Sequence, residues 1–255
     1  MQANVIYEQP LNERVRTFLR LEYLFKEFFA RLEGASLWDS RNALVSLLDI
    51  LTIFNRADLK TEVMKELERQ MGALAALENA PGVDRARLVE LLDEFDMLVD
   101  RMHGMHGQVG QELRQNEFLN NIKQRVSIPG GTCDFDLPGY HFWLQRPLPK
   151  RIADLHNWIT VFEPIRLSIS LILRLVRGSA NPVSEIAHGG FFQKMLDATC
   201  PCQLVRVAVA ADAPYYAEVS GGRHRFTVRF MEFLPDGHAV QTTQDVHFEL
   251  TCCLI

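Results

Sequence analysis

At 255 residues, 47% of them hydrophobic and 23% charged, the chain is long enough for one large core or two modest ones and carries no low-complexity tract. No run approaches the roughly twenty apolar residues of a membrane-spanning helix, and the N-terminus lacks the basic and apolar regions of a secretory signal, so a cytoplasmic protein is expected. A net charge of −5 excludes general affinity for nucleic acid, while five cysteines, including the adjacent Cys252 and Cys253, make a poor disulfide framework and suit free thiols in a reducing compartment.

Val5-Ile-Tyr7, closed by Pro10, suits an edge strand that would tie the N-terminus to a C-terminal sheet. From residue 10 to about 178 the pattern is helical. Leu11, Val15, Phe18, Leu21, Phe25, Phe28 and Leu32 recur at three- and four-residue spacing, with Arg16 and Arg20 one turn apart on a more polar face. A second helix is predicted from Ser40 to Phe54 and a third from Thr61 to Leu77, where Val63, Met64, Leu67, Met71 and Leu74 keep the period. Pro81-Gly82 turns the chain, and Asp84 caps a fourth helix through Leu98. A glycine-broken loop over Met102–Gly107 leads to a helix from Gln111 to Val126. His103 and His106 in that loop lack supporting carboxylates or cysteines and read as loop residues.

Residues 127–144 concentrate breakers, acids and aromatics. Pro129, Gly130 and Gly131 stop the preceding helix, and Pro138-Gly139 sets a second turn before an apolar segment. Phe135, Tyr140, Phe142 and Trp143 predict a connector packed against the protein body. Asp134, Asp136 and His141 fall close together, yet Asp-Phe-Asp beside Pro and Gly reads more simply as turn and cap residues. No nucleophile elbow, phosphate loop or His-Glu-x-x-His string occurs, so no enzyme activity is expected. Cys200, Cys202, Cys252 and Cys253 have the wrong spacings for a zinc knuckle or ribbon, and neither metal nor cofactor is expected.

A last helical segment, Lys150 to Arg177, should bend or break at Pro164. Past Gly178-Ser-Ala-Asn-Pro182 the period changes to two. Leu204 to Val209 and Tyr215 to Val219 read as strands; His224, Phe226, Val228 and Phe230 then alternate with Arg223, Arg225, Thr227 and Arg229. Three arginines thus share one predicted face. Val246, Phe248, Leu250 and Cys252 alternate with Asp245, His247, Glu249 and Thr251 in a final strand, completing an antiparallel meander. The expected class is α+β: a helical domain over 10–180 and a smaller antiparallel β-sheet domain from 1–9 and 181–255.

Several uncommon strings occur in one order: Leu11-Asn-Glu-Arg-Val-Arg-Thr-Phe-Leu-Arg-Leu-Glu22, Arg125-Val-Ser-Ile-Pro-Gly-Gly131, Phe135-Asp-Leu-Pro138, Arg225-Phe-Thr-Val-Arg-Phe-Met231 and Phe248-Glu-Leu-Thr-Cys-Cys253. Together they resemble the ZapD family of Z-ring-associated cell-division proteins, across nearly the whole chain. The resemblance implies a cytoplasmic homodimer, acting at the midcell division site, that binds the C-terminal tail of FtsZ and bundles its filaments. A receptor for a short acidic and apolar tail needs arginines beside apolar surface. By position within the matching motifs the candidates are Arg20, Arg56, His141, Arg225 and Arg229, with Arg16 and Arg223 secondary. On pattern alone, Arg225 or Arg229 can equally pair across a sheet with Glu249 or Asp245, and Arg16 and Arg20 can be a solvated helix face. The alternative function is a non-catalytic regulatory module that holds a small acidic ligand in a cleft between the two domains.

Overall fold

The structure is a computed structural model and describes residues 4–55, 58–78, 80–197, 199 and 201–254. After strand β1 (Asn4–Pro10) come the helices α1 (Glu13–Leu32), α2 (Leu37–Phe54), α3 (Leu59–Ala75), α4 (Arg85–His103), α5 (Gln111–Gln115), α6 (Glu117–Arg125), α7 (Pro138–Leu144), α8 (Leu148–Thr160) and α9 (Glu163–Gly178). Strands β2 (Val183–Ala187), β3 (Phe191–Met195), β4 (Leu204–Ala210), β5 (Tyr216–Gly221), β6 (Arg225–Phe233), β7 (Ala239–Gln241) and β8 (Val246–Cys253) complete the chain. The fold is α+β, as the change of period requires.

Helix boundaries follow local chemistry. Ser36 and Asp39 form a reciprocal capping box, each backbone N–H donating to the other's side chain at 3.1 Å, so α2 begins at Leu37, ahead of the expected Ser40. The Ser36 hydroxyl, donating to the Asp39 carboxylate at 2.6 Å, and then the Ser36 N–H hold the Asp39 carboxyl below its ordinary value. Asp84 caps α4 through the Arg87 N–H at 3.1 Å. The single helix expected over Gln111–Val126 is two, because Asn116 adopts ψ 111° and its side chain accepts the Leu119 N–H. The break expected at Pro164 falls earlier, between Thr160 and Glu163. Pro164 instead sits in the first turn of α9, where a missing N–H costs nothing, and Pro138 opens α7 in the same way.

Two compact units result: Met1–Leu19 with Leu173–Ile255, and Arg20–Ile172. The second is helical. Its core holds Phe28, Leu44, Leu47, Ile50, Leu67, Phe95 and Phe162, all with no exposed surface. Phe118, Tyr140, Trp143 and Trp158 form an aromatic cluster with centroids 5.8–6.4 Å apart. Arg151, buried, donates to the Ser40 hydroxyl at 3.1 Å and to the carbonyls of Leu144 and Arg146 at 2.6 and 2.9 Å, so three hydrogen bonds from Nε and Nη1 offset the burial of its charge in this unit. Of the connector's aromatics, Tyr140 and Trp143 are buried as expected. Phe135 and Phe142 are 81% and 71% exposed, which corrects the expectation that the whole stretch packs inward.

The other unit is a sandwich of two antiparallel sheets, ordered β1-β4-β8-β2 and β3-β6-β5, with β7 paired to the end of β6. β1 is an edge strand, as Pro10 predicts. The expected meander is absent: β8 returns to pair with β4 and β2, while β5 and β6 lie in the opposite sheet. Between the sheets pack Val205, Val207, Phe226, Phe230, Phe248 and Leu250; the Phe248 ring meets Phe192 and Phe230 from the other sheet at 5.3 Å each. Gly190 carries the chain from one sheet to the other at φ 72°, its carbonyl accepting the Phe230 N–H. On the outer side of the first sheet, Glu8 accepts two hydrogen bonds at 2.8 Å from Arg177 and one at 3.0 Å from Arg206, its register partner.

Candidate partner-binding surface

Strand β6 is the centre of its sheet, and its alternation is strict. Phe226, Val228 and Phe230 face the core with no exposure, while Arg225, Thr227, Arg229, Met231 and Phe233 face outward. Residues directly opposite in an antiparallel pair share a face, so the register builds the rest of the surface. Met195 stands beside Arg225; Gln193 and Ser220 flank Thr227; Phe191 and Glu218 flank Arg229; Tyr216 lies beside Met231. Tyr216 and Phe233 stack at 5.0 Å. Phe191, Met195 and Phe233 are exposed, the last two by 68% and 70%. A monomer rarely leaves such apolar area open without a use for it.

The electrostatics of this face are cationic with one acid. Arg229 pairs with Glu218 at 3.5 Å, both side chains about half exposed, and Arg225 makes no ion pair among the described residues. The Cα atoms of the two arginines lie about 13 Å apart along the strand, at roughly 3.3 Å per residue. Pairing of either arginine with Asp245 or Glu249 is corrected here, since those acids belong to the other sheet. Glu249 is opposed to Ser184 and Ala208. Asp245 accepts the Gly189 N–H at 2.8 Å and pairs with His188 at 3.0 Å; these two contacts, the backbone one first, hold its carboxyl below the ordinary value. An exposed apolar sheet face carrying two arginines can hold an extended peptide, its carboxylates on the guanidiniums and its apolar side chains on Phe191, Met195 and Phe233.

The profile of cell division protein ZapD matches residues 19–229 of the chain. A cell division protein ZapD from Methylococcus capsulatus is 45% identical over 255 residues, all of both chains. Proteins of the same name from Dechloromonas aromatica and Coxiella burnetii are 40% and 37% identical, with 98–99% of each chain covered. The chain belongs to the ZapD family. That family is one of cell division proteins and not a known enzyme family.

The expected ZapD contact residues divide between the two units. Arg225 and Arg229 share the outer face of β6, but Arg223 and His224 lie in the exposed bend before it, so the strand carries two arginines and not three. Arg16, also in the β unit, is paired with Glu13 at 3.1 Å. In the helical unit, Arg20 is exposed on α1. His141, exposed on α7, borders a cavity of about 480 Å³ lined by Leu37, Trp38, Arg41, Tyr140 and Leu144, where the Arg41 guanidinium stands 5.9 Å over the Trp38 ring. Arg56 lies outside the described residues, as does Cys200. Sequence reasoning missed Phe191, Met195, Tyr216, Phe233 and Glu218 as neighbours of the arginines. Phe191-Phe-Gln-Lys-Met195 has no apolar–polar alternation, so the period of two that marks a half-buried strand was not there to reveal β3. No helix among the described residues is long and apolar enough to cross a membrane.

Proposed function

We propose that this ZapD-family protein binds the C-terminal tail of FtsZ in the cytoplasm and, as a homodimer, cross-links FtsZ filaments at the midcell Z ring. The observation that carries the reading is the outward face of β6: Arg225 and Arg229 beside exposed Phe191, Met195 and Phe233, in a chain that aligns end to end with cell division proteins. An acidic and apolar tail would exchange weakly held water on this face for charge-assisted hydrogen bonds and buried apolar area. Arg20, Arg56 and His141, with Arg16 and Arg223, are the further contacts proposed for the tail. Cross-linking needs two tail sites per particle, which a two-fold dimer supplies, and the second site gains from effective concentration once the first is filled.

Co-sedimentation with assembled FtsZ, full-length or lacking its tail, tests the proposal. Pelleting with full-length filaments only, together with a dimer in sedimentation analysis, is the expected result. Equal pelleting with tail-less filaments would refute tail binding, and bundling by a demonstrated monomer would remove the dimer argument.

A further inference from the structure

The β6 face leaves the connector over 127–144 without a role, although its turns are built to close tolerance. The Ile128 N–H donates to the Arg125 carbonyl at 3.0 Å, Gly131 to Ile128 at 2.9 Å and Cys133 to Gly130 at 3.1 Å. Gly130 stands at φ 72°, and a Cβ on Gly131 would fall 2.7 Å from Ile128 Cβ and 2.8 Å from the Arg125 carbonyl oxygen. Neither position takes a side chain without rearrangement. Gly130, Thr132 and Cys133 of these turns form one wall of the 480 Å³ cavity that His141 borders. The start of α2 and the length of α7 form the others, so the cavity lies wholly within the helical unit.

Its lining is apolar with a few polar groups, and among the described residues no carboxylate lines it. Leu37, Trp38 and Leu144 supply apolar surface, with Trp38 69% exposed. Arg41 is partly buried, its guanidinium over the Trp38 ring, and it has no ion pair or hydrogen bond among the described residues. Tyr140 is only 3% exposed, yet its hydroxyl has no hydrogen-bond partner among them either. Phe118 and Trp143 hold the Tyr140 ring at 6.4 and 6.1 Å, and Arg41 is the charged group acting on its hydroxyl. Buried polar groups are ordinarily paired, so a buried hydroxyl and a nearby guanidinium, both without partners beside a cavity, point to an acceptor that enters from the cavity.

We propose that this cavity binds an organic carboxylate, its oxygens accepting from the Arg41 guanidinium and the Tyr140 hydroxyl while a bulky apolar group of the same molecule lies on Leu37, Trp38 and Leu144. The volume is that of a small-molecule site, and a guanidinium with no competing acid in the lining selects an anion. Thr132 and Gln145 are placed to serve the remaining lone pairs of the carboxylate. A free organic acid and an acidic residue beside an apolar one in a peptide share this chemistry, and the FtsZ tail proposed above is one such peptide. Recognition of the carboxylate by the cavity does not depend on tail binding.

Calorimetric titration of the full chain with 3-phenylpropionate, and with 3-phenylpropanamide as a neutral control of the same shape, tests the proposal. The expected result is saturable binding of the acid at one site per chain with Kd on the order of 1 mM, and binding of the amide about tenfold weaker or more. The acid should also protect Trp38 from acrylamide quenching, and that protection should vanish in Trp38→Phe. Arg41→Gln should weaken the acid by about tenfold and Tyr140→Phe by roughly threefold to tenfold. Equal binding of acid and amide to the wild-type chain, which needs no variant to fold, would overturn the proposal. So would failure to saturate at several times the expected Kd, or unchanged affinity in a folded Arg41→Gln. Adding tail peptide to the acid complex assigns the source: displacement supports a tail residue in the cavity, and simultaneous binding supports a free acid. A failed acid titration sinks the cavity site while leaving tail binding on the β6 face untouched.

Discussion

Reversing the charge of the β6 face separates binding from stability. In Arg225→Glu/Arg229→Glu the core-facing Phe226, Val228 and Phe230 are untouched, so folding loses only surface electrostatics. The Arg229–Glu218 pair, at 3.5 Å with side chains 53% and 44% exposed, contributes at most about 1 kcal/mol, and placing two carboxylates opposite each other costs a similar amount. The melting point should therefore fall by no more than about 8 °C, at roughly 2–4 °C per kcal/mol for a chain of this size. Binding loses more. Two charge-assisted hydrogen bonds, taken at the low end because both arginines are solvated, amount to about 3 kcal/mol, or roughly a hundredfold in Kd. Fluorescence anisotropy with a labelled FtsZ tail peptide, run beside thermal unfolding, reads both quantities. Glu218→Gln is the control: it frees Arg229 and should leave affinity equal or improved. A folded double variant that binds within threefold of wild type would refute the assignment of this face, and wild-type binding insensitive to salt would refute the charge argument.

Other perturbations probe the scaffold. Glu8→Gln leaves Arg177 and Arg206 facing a neutral amide in a site where all three side chains are about one-quarter exposed or less, and should cost about 2–3 kcal/mol in denaturant unfolding; a loss below 1 kcal/mol would mean the cluster is solvated. Gly190→Ala puts a Cβ 2.5 Å from the Thr242 carbonyl at φ 72° and should cost roughly 2–4 kcal/mol, whereas Gly237→Ala, at φ 86° with open space around it, should cost about 1; equal losses would show that φ strain alone decides. Burial pushes the Tyr140 hydroxyl up to about 12, so the folded state keeps its proton where the unfolded chain has lost it. Its contribution is intact below pH 10 and drains away as pH rises toward 12, on the order of 2–3 kcal/mol, and Tyr140→Phe should flatten that alkaline decline in stability.

Helix positions were legible because burial on one side of a 3.6-residue repeat leaves a mark in each helix's own sequence. Local competitors moved the ends: the Ser36–Asp39 box extended α2, Asn116 split a helix by capping its second half, and Pro164 was absorbed into a first turn. In the β unit, alternation declared that Phe226, Val228 and Phe230 face inward and Arg225 and Arg229 outward, and Pro10 marked an edge. It could not say which strands are neighbours. A period of two is satisfied by any antiparallel partner, so the division of β5, β6 and β8 between two sheets, and with it Glu218 in place of Asp245 or Glu249 beside Arg229, depends on pairings between distant segments.

The sequence by itself determined the fold class, the family and the charge of the candidate face, all of which are written in local periodicity or in strings of adjacent residues. Only the tertiary structure decided what surrounds those arginines. Phe191 and Met195 reach Arg229 and Arg225 from thirty or more residues upstream through strand register. Such contacts arise from chain pairing across long loops, whose ends carry no shared local pattern in the sequence.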